Sequence, residues 1–180
     1  MFLTVLVRTN HRVVTAMVDR LAADPAEVLP GRMMRSLYLD LAADPVTRPL
    51  YLGDSEVLGR LAHEVATALS ALGERRDRVA REYFGLLREA GLVSTDHPVD
   101  GQLHMLGAIV SGFLFVDPLA RPYAPADPAD RADLLEHAVG AALHAPDIAA
   151  EAAARVAPAV ADLYRSLNGH IDHEWRRRVR

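Results

Sequence analysis

The sequence has no cysteine and no lysine, so all 20 of its basic residues are arginine. These absences exclude disulfides, thiolate nucleophiles, cysteine-ligated zinc, Schiff-base chemistry at lysine and the lysine of a P-loop. No Gly-x-Ser-x-Gly elbow, glycine-rich phosphate loop or Glu-x-x-His pair occurs either. The sequence therefore carries no enzyme signature, and we expect no catalytic residues, metal or cofactor.

Aromatic residues are also scarce, at 6% of the 180 residues, whereas hydrophobic residues make up 51% and charged residues 24%. Alanine and leucine outnumber β-branched residues in most windows, which favours helix over sheet. The net charge of −4 argues against an extensive nucleic-acid-binding face on this chain alone, although a local basic patch stays open. We expect an all-α protein.

The opening stretch, MFLTVLVRTNHRVV, is apolar before it is basic. A signal peptide has the opposite order, because its positive charges precede its apolar region. The longest other apolar run, 105–116, is well short of the roughly 18 residues that suggest a membrane span. We expect a cytoplasmic protein with no membrane partner.

Proline and glycine divide the chain into helical segments. The motif LAADP ends the first two helices, at Pro25 and Pro45, because a residue before proline is disfavoured in helical geometry. Asp127 is a favourable N-cap, and Gly91 is a favourable helix end. The spacing of apolar residues predicts helices over 1–24, 30–44, 54–72, 74–90, 99–116 and 128–144, with a helical tail interrupted at Pro158 and Gly169.

The predicted helix 99–116 carries small residues in two registers four apart, at Gly107, Ala108, Ser111 and Gly112. This spacing lets another helix approach closely. Near-continuous apolarity favours a self-association face, with helix 128–144 as its companion, over a buried core helix. Two copies would then form an antiparallel four-helix interface.

Several polar residues lie in otherwise apolar helices: His63, Tyr83, His104 and Ser111. As a group they fit a small-molecule pocket, which is mostly apolar with a few polar groups that orient the ligand. Singly, each also fits an ordinary hydrogen-bonded core residue. Both interpretations stay open.

Two charged motifs remain near the C-terminus. The sequence HIDHE places His170 and His173 at i,i+3, but no third ligand group stands out, so a solvated helix end is favoured over a metal site. The following stretch, 175–180, reads WRRRVR and is a candidate for contact with nucleic acid. A second arginine cluster, 75–81, is interleaved with acids and indicates a solvated face.

Four stretches carry a resemblance to a known family: residues 2–25, 40–61, 75–93 and 102–113. They resemble the C-terminal regulatory part of the TetR family of one-component transcription regulators, over roughly 1–145. Members of that family are homodimers in which a three-helix DNA-binding module precedes a larger helical domain that binds a small, often apolar effector. The first helix after the module typically begins with a Leu-Phe or Phe-Leu pair, which Phe2 and Leu3 match.

The resemblance implies a bundle of about 7–9 helices that dimerises through helices 99–116 and 128–144. It implies an effector-binding and dimerisation domain over 1–145, in which 1–24 is the connecting helix, followed by an alanine-rich extension over 146–180. Effector contacts would come from the middle helices. The candidate ligand-binding residues are Met34, Tyr38, His63, Tyr83 and His104; the candidate interface residues are Gly107, Ser111, Gly112, Leu135 and Val139.

The sequence also departs from the family pattern, because no helix-turn-helix module precedes residue 1. A start assigned too far downstream, or a truncation, is favoured over true loss of the module. Operator DNA is then a partner only where that module is present. The alternative is a helical carrier or enzyme that uses the same cavity, with His63 or His104 as acid or base, although no paired acid-base signature supports catalysis.

Overall fold

A computed structural model describes residues 2–43, 77–116 and 123–178, and within these ranges it contains six α-helices and no strand. The expected all-α class is confirmed. The helices are α1 (Phe2–Ala23), α2 (Pro30–Ala43), α3 (77–89), α4 (Val99–Ser111), α5 (Pro128–Leu143) and α6 (Ala150–Arg178). The predicted helix 54–72 lies outside the described residues, so the total of about 7–9 helices stays a prediction.

Several of these helices begin and end at the residues that the sequence predicts. Asp24 follows α1 and accepts a hydrogen bond from the Ala26 N–H, which starts a short 3-10 turn at Pro25–Val28. Asp127 caps α5 through the Ala129 N–H at 2.9 Å. Gly91 ends the α3 segment with a φ of 70°, a conformation that favours glycine.

Helix α6 runs through both residues that were expected to interrupt it, so that prediction is wrong. Pro158 lies on the exposed side of the helix, and Gly169 is also exposed. The opposite side is a stripe of small apolar residues that packs into the same core as the other helices: Ala152, Ala153, Val156, Ala157, Val160 and Ala161. Burial of this stripe outweighs the local helix-breaking tendencies.

The helices pack in pairs, with α1 against α6, α2 against α5, and α4 also against α5. The first pair is antiparallel. Asn168 donates to the Thr15 hydroxyl in α1 at 3.4 Å, while α6 also packs on the turn Pro25–Val28 that follows α1, and its earlier residues Val156 and Val160 share a core with that turn. The C-terminal end of α6 therefore lies at the same end of the molecule as the start of α1.

An ion pair ties the last turn of α1 to α2. Arg20 donates to both carboxylate oxygens of Asp40, at 3.3 and 2.9 Å. Its Nε lies 3.8 Å from a carboxylate oxygen of Glu27, which accepts a hydrogen bond from the Ser36 hydroxyl. The Arg20 and Asp40 side chains are about one-third exposed, so we assign the pair a modest share of stability and a larger share in fixing orientation.

None of the helices in the described ranges is both long and apolar enough to cross a lipid bilayer.

Candidate ligand-binding and dimerisation site

Tyr83 on α3 is a buried anchor of the core. Its hydroxyl donates to the Val28 carbonyl at 2.7 Å, and its ring meets Phe84 edge-on with centroids 5.5 Å apart. Burial, with a smaller contribution from Tyr164, raises the pKa of Tyr83 well above its usual value, which keeps the hydroxyl neutral and donating. Of the two interpretations of this residue, the hydrogen-bonded core residue accounts for these contacts.

Tyr38 and Met34 are one turn apart on α2 and therefore share one side of that helix. Tyr38 is 5% exposed and belongs to the main core, and Met34 is half-buried against it. In contrast to the Tyr83 hydroxyl, the Tyr38 hydroxyl bonds to none of the described residues, and it is not one of their fully buried polar atoms that lack a partner, so it reaches the surface. An apolar surround with a hydroxyl at its edge is a composition that suits a small-molecule site.

The other two predicted ligand-binding residues do not join this pair. His104 is exposed on α4. His63 lies outside the described residues. The structure therefore brings Met34, Tyr38 and Tyr83 together in one core and leaves His104 on the surface.

The predicted interface residues separate into an exposed group and a buried group. Gly107 and Ser111 are exposed on α4, and Gly112 begins a π-helical turn that continues it, Gly112–Val116. Leu135 and Val139 are 1% and 0% exposed inside the core of the single chain, so neither is available to a partner in this conformation. Periodicity identifies an apolar stripe, but it does not say whether the stripe meets its own chain or a second copy.

Helix α4 is the most apolar helix of the described chain, yet Gln102 is its only fully buried residue. The Gln102 amide donates to the Ser94 carbonyl at 2.7 Å, and its oxygen accepts from the Arg88 guanidinium at 2.8 Å. Arg88 also donates to the His97 carbonyl. These bonds fix the start of α4 against α3. Most of the apolar residues of α4 are only partly buried.

His144 joins the N-terminus of α2 to the C-terminus of α5. Its Nε2 accepts the backbone N–H of Gly31 at 3.3 Å, and its ring lies against Gly140, where a Cβ would come within 3.2 Å of Nδ1. Burial lowers the pKa of His144, because the charged form is desolvated. Sequence reasoning missed this contact, which spans 113 positions.

The His144 contact predicts a stability that depends on pH. The pKa is about 6.5 in the unfolded chain and lower in the folded chain, so between the two values the unfolded chain binds more protons. The His144 contribution is therefore complete above about pH 6.5 and is lost as the pH falls below it. Urea unfolding at about pH 7.5 and 5.5 should show a smaller loss for His144→Gln than for the native chain. His137→Gln, at an exposed position on α5, is the control, and an unchanged loss in His144→Gln would contradict the assignment.

The free energy of unfolding should depend strongly on the hydroxyl of Tyr83 and only weakly on the hydroxyl of Tyr38. Tyr83→Phe leaves the Val28 carbonyl without its donor and should cost about 1–3 kcal/mol of unfolding free energy. Tyr38→Phe removes a hydroxyl that bonds to no described residue and should change stability by less than about 0.5 kcal/mol. Denaturant unfolding at one protein concentration measures both. Equal losses would show that the Tyr38 hydroxyl is also committed to the fold.

No family model, curated protein or solved structure matches the chain. Its function is therefore argued from its own residues. Within the described residues, no group of three or more histidine, aspartate or glutamate side chains is placed to hold a metal ion. The two features that remain are the core around Tyr38 and the outer side of α4.

Proposed function

We propose that this chain is the effector-binding and dimerisation part of a TetR-like transcriptional regulator. It would sense a small, apolar molecule and control DNA binding through a helix-turn-helix module joined at the start of α1. Two copies would associate through α4 and α5. Two observations support this proposal: the resemblance of the four sequence stretches to the TetR family, and the arrangement of the described helices.

The observation that carries the proposal is the outer side of α4. Gly107, Ala108 and Ser111 are exposed at three- and four-residue spacing, so they share one side of the helix. Leu134 on the neighbouring α5 is 48% exposed and is, with Tyr123, one of two exposed large hydrophobic side chains among the described residues. The exposed small residues on α4 let a second helix approach closely, and an exposed leucine on α5 adds apolar area to bury.

The α2 helix supplies the effector side of the proposal. Tyr38 and Met34 offer a hydroxyl within an apolar surround, which suits an apolar molecule with a polar group. Asp40, two residues after Tyr38, is the partner of Arg20 in α1. A ligand that displaces α2 would therefore act directly on the end of the connecting helix, which is the physical requirement for coupling two sites.

The leading test combines oligomeric state with ligand response. Sedimentation equilibrium of the purified chain should give a dimer, and a set of apolar small molecules bearing one polar group should include compounds that raise its melting temperature. The ligand-dependent rise in melting temperature should be smaller in Tyr38→Phe. A monomeric chain with no responsive compound would refute the proposal.

The alternative is a helical small-molecule carrier or enzyme with no role at DNA. The Tyr38 side chain, which is 5% exposed and lies in the apolar core, suits a carrier as well as a sensor. The two differ in what ligand does to α1. Spin labels at the exposed Arg12 of both copies should report a ligand-dependent change in distance for a sensor and an unchanged distance for a carrier.

A further inference from the structure

The first turn of α2 is capped by a residue from another helix. The Met33 N–H donates to the Leu29 carbonyl at 2.9 Å, which places Leu29 at the N-cap position, but leucine has no side-chain acceptor. Pro30 has no N–H, so Gly31 carries the first backbone N–H of the helix. This N–H has no partner within α2, and it donates to Nε2 of His144 at 3.3 Å. The His144 ring therefore does the work of an N-cap.

A different part of the chain holds the backbone of His144. The Ser94 N–H donates to the Leu143 carbonyl at 2.9 Å. The Ala145 N–H donates to the Leu92 carbonyl at 3.2 Å. These two bonds flank His144 and form a short antiparallel bridge with the segment that follows α3. The main chain at this position is thus fixed independently of α2, and the contact with α2 depends on the ring.

The ring lies in a slot between two glycines. A Cβ at Gly31 would come within 3.3 Å of its Cε1, and a Cβ at Gly140 would come within 3.2 Å of its Nδ1. The ring therefore lies directly against the backbones of α2 and α5. The slot suits the neutral form, because burial disfavours the charged ring and lowers the pKa of His144.

No charged group around the slot offsets this burial. The Glu136 side chain on α5 is near, since its Cγ would lie 3.4 Å from a Cβ at Gly31, but its carboxylate is 3.4 Å from Nε of Arg35. Among the described residues, no acid forms a hydrogen bond or an ion pair with the His144 ring. The other charged or titratable groups on the packed elements are Arg32 on α2, Asp133 and His137 on α5, Asp96 and His97 after α3, and Asp147 after α5.

We propose that His144 is a proton-controlled cap, whose neutral ring holds the first turn of α2 on α5 and whose protonation releases it. A neutral ring accepts at Nε2 when Nδ1 carries the hydrogen, whereas a protonated ring has an N–H on both nitrogens and accepts nothing. Protonation in the slot would set a donor against the Gly31 donor. It would also place a positive charge at the positive end of the α2 dipole.

The released ring has a favourable position for its charge. His144 directly follows α5, and the C-terminal end of a helix stabilises a cation. The neutral ring is therefore favoured on α2 and the charged ring is favoured away from it, at the end of α5. Because the two arrangements differ in proton affinity, pH sets their populations. The consequence is a local opening between α2 and α5 in mildly acidic solution.

The test follows the Gly31 amide by NMR in the whole isotope-labelled chain, between about pH 7.5 and 5. Protection of this amide from hydrogen exchange is compared with an unstructured peptide at the same pH. Below about pH 6.5 the protection should fall by up to about tenfold for each pH unit, because release takes up one proton. At the upper pH the ring should carry its hydrogen on Nδ1.

Two variants assign the response to one ring. In His144→Gln the amide oxygen can accept from Gly31 but does not titrate, so the corrected protection should be independent of pH. His137→Gln, at an exposed position on α5, should leave the response of the native chain unchanged. The titration of the native chain does not depend on the stability of either variant.

Three results would overturn the proposal. They are a Gly31 protection that is constant over this pH range in the native chain, an equal fall in His144→Gln, and a neutral ring with its hydrogen on Nε2. Loss of helix content by circular dichroism at the same pH would also overturn it, because the chain would then unfold as a whole. No ligand, second copy or DNA enters the measurement, so its outcome is independent of the proposed function.

Discussion

Gly31→Ala should destabilise the protein by about 2 kcal/mol, although alanine is the better helix former. A Cβ at position 31 would lie 2.7 Å from the Glu136 backbone carbonyl oxygen and 3.3 Å from the His144 ring. The carbonyl belongs to α5 and cannot rotate away as a side-chain tip would. Helix α2 must therefore move off α5, which also lengthens the hydrogen bond from the Gly31 N–H to His144.

Thermal and denaturant unfolding measure this loss, which corresponds to roughly 2–4 °C of melting temperature for each kcal/mol in a chain of this size. The matched control is Gly85→Ala, in the α3 segment, where a Cβ meets nothing within 4 Å. That variant should gain about 0.5–1 kcal/mol, because alanine loses less conformational entropy in a helix. Stabilisation by both changes would show that α2 and α5 are farther apart than described.

Ala108→Arg should convert the proposed dimer to a monomer at micromolar concentration. Ala108 is exposed at the centre of the outer side of α4, between Gly107 and Ser111. In a symmetric dimer a residue near the axis meets its own copy, so one arginine places two like charges at the closest approach of the helices. We expect the dissociation constant to rise about 100-fold or more, close to 3 kcal/mol.

Sedimentation equilibrium checks the result, and Ala154→Arg is the control. Ala154 is also a small exposed residue, but it lies on α6, away from the proposed interface. The control variant should remain dimeric, and both variants should keep the native helix content. A native chain that is already monomeric, or a dimer that survives Ala108→Arg, would place any interface elsewhere.

The sequence was sufficient to predict features that depend on neighbouring residues. The helix ends at Asp24, Gly91 and Asp127 were predicted because a cap or a positive φ is decided within a few positions of chain. The all-α class followed from alanine and leucine content for the same reason. The predicted break of α6 at Pro158 failed because packing against the core opposed the local preference.

Features that depend on distant contacts were not predicted. Gly31 and His144 are ordinary residues in the sequence, and their importance arises because α2 crosses α5 closely. Leu135 and Val139 were placed in an interface because the family resemblance implies dimerisation through helix 128–144, but the structure buries both within one chain. Tyr38 and Tyr83 were both candidate ligand-binding residues, and the hydrogen bond to the Val28 carbonyl distinguishes them.

Between residues 152 and 161, the buried stripe of α6 consists mainly of alanine, with valine as its largest member at Val156 and Val160. A surface built from the smallest side chains has almost no volume left to lose. Truncating substitutions, which are the common source of damage in cores of leucine and phenylalanine, have little to remove here. Mutational damage along this helix should instead come from added atoms, so that a change as slight as Ala157→Val is more harmful than Val160→Ala.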